Sequence, residues 1–118
     1  MTTAKITIYQ KPTCTTCRIV KKELEDSNAD FENINYYEKA FTKTALKDLL
    51  KKLNMLPAEL LRKKEQIYRD LKLSSREVSD EELIGLMVQH PDLIERPIVV
   101  KGNKAVLARP AEKVRELL

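Results

Sequence analysis

Hydrophobic positions near the start of the chain change period twice. Residues Ile6 to Tyr9 alternate and predict a strand, which a loop over residues 10–13 follows. From about Cys17 to Ser27 the spacing becomes helical, and the expected apolar face contains Ile19, Val20 and Leu24. A second extended segment then carries Phe31, Ile34 and Tyr36. This order predicts a βαβ unit with two parallel strands and a right-handed crossover.

The middle of the chain has a helical period throughout. Thr42 or Thr44 is expected to cap one helix, and Pro57 suits the first turn of the next. Ser79 to Glu82 reads as a capping box for a third helix, which His90-Pro91 ends. The apolar positions of these helices are Leu46, Leu49, Leu50 and Leu53, then Leu60, Leu61 and Ile67, then Leu83, Ile84, Leu86 and Met87.

The last third returns to short strands. Ile98 to Val100 and Ala105 to Leu107 flank a turn over residues 101–104, which predicts a hairpin. Pro110 is placed to begin a final short helix carrying Val114, Leu117 and Leu118. The whole order predicts an α/β, thioredoxin-like fold with a mixed four-stranded sheet and a helical insertion. At 118 residues we expect a single domain over residues 1–118.

Composition excludes several classes of function. The net charge is +4, but Lys and Arg are interspersed with acids, so we do not expect nucleic-acid binding. Only two glycines occur, which argues against a glycine-rich phosphate loop. No apolar run approaches the roughly 20 residues that span a bilayer. The first residues, Met1 to Lys5, lack the apolar stretch of a secretory signal, so we expect a cytoplasmic protein without a membrane partner.

Two cysteines carry the candidate chemistry. Cys14 lies between the first predicted strand and helix, where unpaired backbone N–H groups and the helix dipole stabilise a thiolate. Lys11 and Arg18 can add positive charge. Cys17 lies about one helical turn further on, placed to form a disulfide with Cys14. The alternatives are that both thiols are inert, or that Cys17 only packs as a small apolar residue.

A structural zinc site is not expected, because Cys14, Cys17 and His90 are the only soft or borderline ligands and such a site needs four. His90 is expected to end a helix rather than to act as a base. We therefore expect no metal and no tightly bound cofactor.

Several short motifs together resemble the ArsC family of glutaredoxin-coupled arsenate reductases. They are spread over nearly the whole chain, namely ITIY at 6–9, PTCTTCR at 12–18, LLRK at 60–63, QHP at 89–91, IERPIVV at 94–100 and LARP at 107–110. The resemblance implies that Cys14 attacks arsenate and that Arg62, Arg96 and Arg109 bind the oxyanion. Arginine suits this role because its planar fork donates paired hydrogen bonds to tetrahedral anions.

The resemblance also implies partners. Glutathione is the expected reducing co-substrate, and glutaredoxin or thioredoxin is the expected reductant that regenerates the cysteine. It further implies that Pro97 follows a cis peptide bond opposite the cysteine. Many family members have a small polar residue where this chain has Cys17, which leaves open whether glutathione or Cys17 resolves the adduct. The chain also stops earlier than the longer reductases.

Two other functions compete with the reductase. A redox-sensing regulator resembling the Spx family shares the fold, the C-x-x-C motif and the Arg-Pro-Ile element, and binds RNA polymerase. Chains of that type lack the Arg109-Pro110 pair, so this pair favours the reductase. A general disulfide reductase resembling glutaredoxin is the third option, but it does not need three converging arginines.

Overall fold

The computed structural model describes residues 5–118; residues 1–4, on which part of the secretory-signal expectation depends, lie outside them. Strand β1 (Ile6–Gln10), helix α1 (Thr15–Asp26) and strand β2 (Phe31–Asn35) form the predicted βαβ unit. Strands β3 (Ile98–Lys101) and β4 (Lys104–Leu107) form the predicted hairpin, and its turn is shorter than expected. Gly102 has a φ of 61°, a conformation that glycine adopts without strain in such a tight turn.

The described strands form one mixed four-stranded sheet in the order β2-β1-β3-β4. Strand β1 pairs in parallel with β2 and antiparallel with β3, so that Ile8 lies opposite Val99. The hairpin adds β4, with Val99 opposite Val106. The predicted α/β, thioredoxin-like fold with a mixed four-stranded sheet is confirmed.

Contacts divide the described part of the chain into two units, one made of residues 5–39 and 96–118 and the other of residues 40–95. In the first unit, side chains of the sheet, of α1 and of a 3-10 helix over Ala111–Leu117 pack into one core. The predicted final helix is therefore present but is wound more tightly than an α-helix. The core of this unit contains Ile6, Ile8, Val20, Leu24, Val99, Ala108, Ala111, Val114 and Leu117. Whether the chain behaves as a single domain stays a prediction.

One apolar position of α1 was wrongly predicted. Val20 and Leu24 are fully buried, as expected, but Ile19 is 50% exposed. Ile19 lies about 100° around the helix from Val20, outside the stripe of α1 that packs into the core of this unit. The buried stripe of α1 continues instead through Cys17.

The second unit, residues 40–95, holds the helical insertion. Its α-helices are α2 (Lys43–Leu53), α3 (Gln66–Asp70) and α4 (Asp80–Gln89). Thr42 caps α2 by accepting a hydrogen bond from the Ala45 N–H at 3.0 Å, and Ser79 caps α4 in the same way. The buried hydrophobic residues of this unit include Leu46, Leu50, Leu60, Ile84, Met87 and Leu93.

The helix expected to begin at Pro57 and to carry Leu60, Leu61 and Ile67 does not form as one element. A 3-10 helix over Pro57–Leu60 ends before Leu61, which forms an isolated β-bridge with Ile94. Helix α3 begins only at Gln66. The prediction failed because two segments pair here, which no helical period reveals. The Arg62 N–H donates to the Leu93 carbonyl and the Glu95 N–H donates to the Leu60 carbonyl, in place of helical hydrogen bonds on either side of Leu61.

Candidate active site

The first turn of α1 holds Cys14 in the position that the sequence predicted. Cys14 is the N-cap residue of the helix, with extended backbone angles, and its N–H donates to the Lys11 carbonyl at 3.0 Å. Its Sγ accepts a hydrogen bond from the Cys17 N–H at 3.3 Å. The sulfur therefore takes the place of the side-chain oxygen that usually caps a helix, and it faces the positive end of the helix dipole.

Two opposing effects act on the Cys14 thiol. Partial burial favours the neutral form and raises the pKa of Cys14, whereas hydrogen bonds from Cys17 and the charge and hydrogen bonding of Arg96 lower it. The lowering effects prevail, and the pKa of Cys14 lies below its ordinary value. Arg18, expected to contribute charge, has an exposed side chain. The Lys11 ammonium lies 4.8 Å from the centroid of the Tyr37 ring.

Cys17 has the opposite character. Its side chain is only 1% exposed, and burial raises the pKa of its thiol to about 12. The neighbouring Cys14 adds to this rise, both by hydrogen bonding and by its negative charge. Both cysteines are reduced in the structure. One helical turn thus holds a partly exposed thiol that ionises readily and a buried thiol that keeps its proton.

Arg96 lies against this pair from the start of β3. Its residue is only 6% exposed, and its Nη1 donates to the Tyr37 hydroxyl at 3.3 Å. Tyr36 also faces Arg96 through charge and hydrogen bonding, and burial raises the pKa of Tyr36 to about 12. The peptide bond between Arg96 and Pro97 is cis, as the resemblance implied.

Arg109 lies beside Arg96. Its Nη1 donates to the Arg96 backbone carbonyl at 2.8 Å, and the Arg109–Pro110 peptide bond is also cis. The structure therefore places Arg96 beside the two cysteines and Arg109 beside Arg96, all within one unit.

Arg62 belongs to the other unit and does not lie on a helix, contrary to expectation. Its N–H donates to the Leu93 carbonyl at 2.7 Å. Its guanidinium pairs with Glu65, 2.8 Å from Nε, and with Glu95, 3.4 Å from Nη1. A role for Arg62 in binding an anion stays a prediction.

Sequence reasoning missed Tyr36 and Tyr37. They follow β2, which ends at Asn35, whereas Tyr36 was expected to lie within an extended segment. Their rings lie 5.0 Å apart at a tilt of 36°. Adjacent tyrosines in a chain with 5% aromatic residues are the only signal that the sequence offered.

Comparison with known proteins agrees with this geometry. The model of the ArsC family matches residues 9–117. The chain belongs to the ArsC family. The arsenate reductase of Yersinia enterocolitica is 39% identical over 115 residues, which is 98% of this chain and 82% of the relative. The uncharacterized protein YfgD of Escherichia coli strain K12 is 40% identical over 117 residues, covering 98% of both chains.

Solved structures give the same result. The structure described as arsenate reductase from Vibrio cholerae superposes on this ArsC-family chain with a TM-score of 0.92 at 35% identity, covering 99% of this chain and 100% of that one. The two structures are therefore similar over the whole fold, and not only around the Cys14 loop.

Membrane spans and metal clusters are both absent from the described part of the chain. Residues 5–118 contain no helix long and apolar enough to cross a membrane. Over the same residues, no three or more His, Cys, Asp and Glu side chains cluster in a way that suits a metal ion.

Proposed function

We propose that this ArsC-family chain reduces arsenate to arsenite, with Cys14 as the nucleophile. The observation that carries the proposal is the buried Arg96 guanidinium beside the Cys14 sulfur. A thiolate and an arginine at one helix N-terminus suit an attack on a tetrahedral oxyanion, because the arginine and helix N–H groups hold the anion while the sulfur approaches.

In the first step the Cys14 thiolate attacks arsenic. A sulfur–arsenic bond forms, an arsenic–oxygen bond breaks, and the departing oxygen takes up protons and leaves as water. Arg96 and Arg109, with Arg62 as the third predicted ligand, balance the negative charge of the anion during this step. Arsenic is still pentavalent in the adduct.

In the second step a thiolate attacks the Cys14 sulfur. A disulfide forms, the sulfur–arsenic bond breaks, and its electron pair stays on arsenic, which leaves as arsenite. Cys17 or glutathione supplies this thiolate, and glutaredoxin or thioredoxin then reduces the disulfide. Once Cys14 is bound to arsenic it no longer carries the negative charge that raises the pKa of Cys17. Cys17 therefore ionises more readily after the adduct forms than before.

Arsenate-dependent turnover tests this function. Purified protein is assayed with arsenate and glutathione plus glutaredoxin, and separately with thioredoxin and its reductase. Cys14→Ser is expected to abolish turnover in both. If Cys17 resolves the adduct, Cys17→Ser loses the thioredoxin-supported activity; if glutathione does, activity with glutaredoxin survives.

Arginine variants test the anion site. Arg62→Ala, Arg96→Ala and Arg109→Ala are each expected to weaken arsenate binding about tenfold to a hundredfold, because a charge-assisted hydrogen bond contributes roughly 1.5–3 kcal/mol. The matched control is Arg115→Ala, since Arg115 is exposed and pairs with Glu23. Absence of arsenate turnover together with reversible oxidation of Cys14 and Cys17 would contradict the reductase and favour a redox-sensing regulator.

A further inference from the structure

We propose that Tyr37 is a positioning residue, which holds the Arg96 guanidinium toward the Cys14 sulfur through a neutral hydrogen-bond acceptor. The proposal rests on the proposed function for its biological meaning, but the contacts that carry it do not involve arsenate. Tyr37 follows the end of β2, outside the sequence motifs that resemble the family.

The first contact lies between Tyr37 and Arg96. The Tyr37 hydroxyl oxygen accepts a hydrogen bond from Arg96 Nη1 at 3.3 Å, across 59 positions of sequence. An arginine side chain loses much rotamer freedom when it binds an anion, so fixing its guanidinium beforehand removes part of the cost of ordering it.

The second contact joins Tyr37 to the loop that carries the cysteine. Lys11 Nζ lies 4.8 Å from the centroid of the Tyr37 ring, within the range of a cation–π interaction. The Lys11 carbonyl in turn accepts the N–H of Cys14 at 3.0 Å. The Tyr37 N–H also donates to Asn35 Oδ1 at 3.0 Å, which fixes the backbone of the tyrosine. Tyr37 therefore links the Cys14 loop to Arg96 through its ring on one side and its hydroxyl on the other.

The chemistry of the acceptor matters. Arg62 is oriented by the carboxylates of Glu65 and Glu95, which oppose its positive charge. The Tyr37 hydroxyl is neutral, so its hydrogen bond orients Arg96 without itself adding a counter-charge. The contact with Tyr37 therefore does not weaken the attraction of Arg96 for the Cys14 thiolate or for an incoming anion.

The test substitutes Tyr37→Phe, which removes the hydroxyl and keeps the ring under Lys11. The pH dependence of Cys14 alkylation is followed by peptide mass spectrometry, so that Cys17 does not contribute. We expect the titration to move to higher pH by about half a pKa unit, which removes at most about threefold of the thiolate near neutral pH. The alkylation rate there should fall about twofold, because the more basic thiolate is also the better nucleophile. The control is Tyr68→Phe, because Tyr68 lies on α3 in the other unit.

A second background shows whether the effect passes through Arg96. In Arg96→Lys protein, Tyr37→Phe should leave the Cys14 titration unchanged, because the fork that Tyr37 orients is absent. Two results would overturn the proposal. One is that Tyr37→Phe leaves the Cys14 titration of otherwise wild-type protein unchanged. The other is that it shifts the titration equally in both backgrounds. Calorimetry should show that Tyr37→Phe lowers the affinity for sulfate in otherwise wild-type protein and leaves it unchanged in Arg96→Lys protein.

The two proposals fail separately. If Tyr37→Phe moves the Cys14 titration in wild-type protein alone, and arsenate is not reduced, positioning by Tyr37 stands and the arsenate function falls. Thermal unfolding of each variant shows that it is folded under the assay conditions.

Discussion

Selective alkylation is the sharpest check of how the two thiols differ. At pH 7.5, a free thiol with a pKa of about 8.5 is roughly a tenth ionised. A thiol with a pKa of about 12, as Cys17 has, is ionised only to about 3 parts in 100,000 under the same conditions. The supply of thiolate at Cys17 is therefore about three thousandfold lower.

Nucleophilicity offsets part of this difference. A more basic thiolate reacts faster, with a Brønsted coefficient of about 0.4–0.5, which returns roughly 25- to 55-fold over 3.5 pKa units. We expect Cys17 to react with iodoacetamide about a hundredfold more slowly than a free thiol, and more slowly still because its side chain is only 1% exposed. Cys14 should retain measurable reactivity at acidic pH where a free thiol loses it, because its pKa is lowered.

The assay quenches iodoacetamide labelling at timed intervals and quantifies the modified peptides by mass spectrometry. Protein unfolded in guanidinium serves as the control, since both thiols should then react at similar rates. Labelling of Cys17 in folded protein at the rate of a free thiol would refute the reasoning, because it would require a thiol that is ionised or open to solvent.

Three further predictions concern the redox pair, a helix cap and alkaline stability. Mild oxidation should join Cys14 to Cys17, seen as a loss of two hydrogens within one peptide; a free Cys17 beside an oxidised Cys14 would count against it. Thr42→Ala should lower the free energy of unfolding by about 1 kcal/mol in denaturant titrations, because Thr42 caps α2, whereas Thr44→Ala inside the helix should cost less; equal losses would contradict the capping role. The pKa of Tyr36 is raised to about 12, so the unfolded chain releases this proton at lower pH than the folded one. Stability should therefore fall between about pH 10 and 12 by about 1.4 kcal/mol per pH unit from this group, and Tyr36→Phe should remove that part of the slope.

The position of the cysteine site was predictable from nearby residues in the sequence. A strand pattern, a loop with a proline and a helical period predicted Cys14 just ahead of the first helix, and the structure makes it the N-cap of α1. The hairpin was predictable for the same reason, and so was a threonine cap on α2, for which Thr42 and Thr44 were both candidates and Thr42 is the one observed. Each of these features is stabilised by interactions between residues a few positions apart, so a short stretch of sequence is enough to predict it.

Competition between segments decided the places where prediction failed. Arg62 was expected on a helix, but the backbone of its neighbour Leu61 pairs with Ile94, more than 30 positions away, and the helix stops. Ile19 was expected in the core, but the sheet covers only the stripe that includes Val20. In both cases the sequence shows a local preference, and the partner that overrides it lies elsewhere in the chain.

The surroundings of Arg96 were decided by tertiary structure alone. The arginine and the motif that contains it were recognisable, but the pairing with Tyr37 and the hydrogen bond from Arg109 to its carbonyl follow from the sheet order β2-β1-β3-β4. That order places the end of β2 and the start of β3 at the same end of the sheet, on either side of the strand that leads to Cys14. The sequence by itself determined which groups can carry the chemistry, because side-chain identity sets what each can donate or release. Their relative placement depends on long-range strand pairing, which no local pattern encodes.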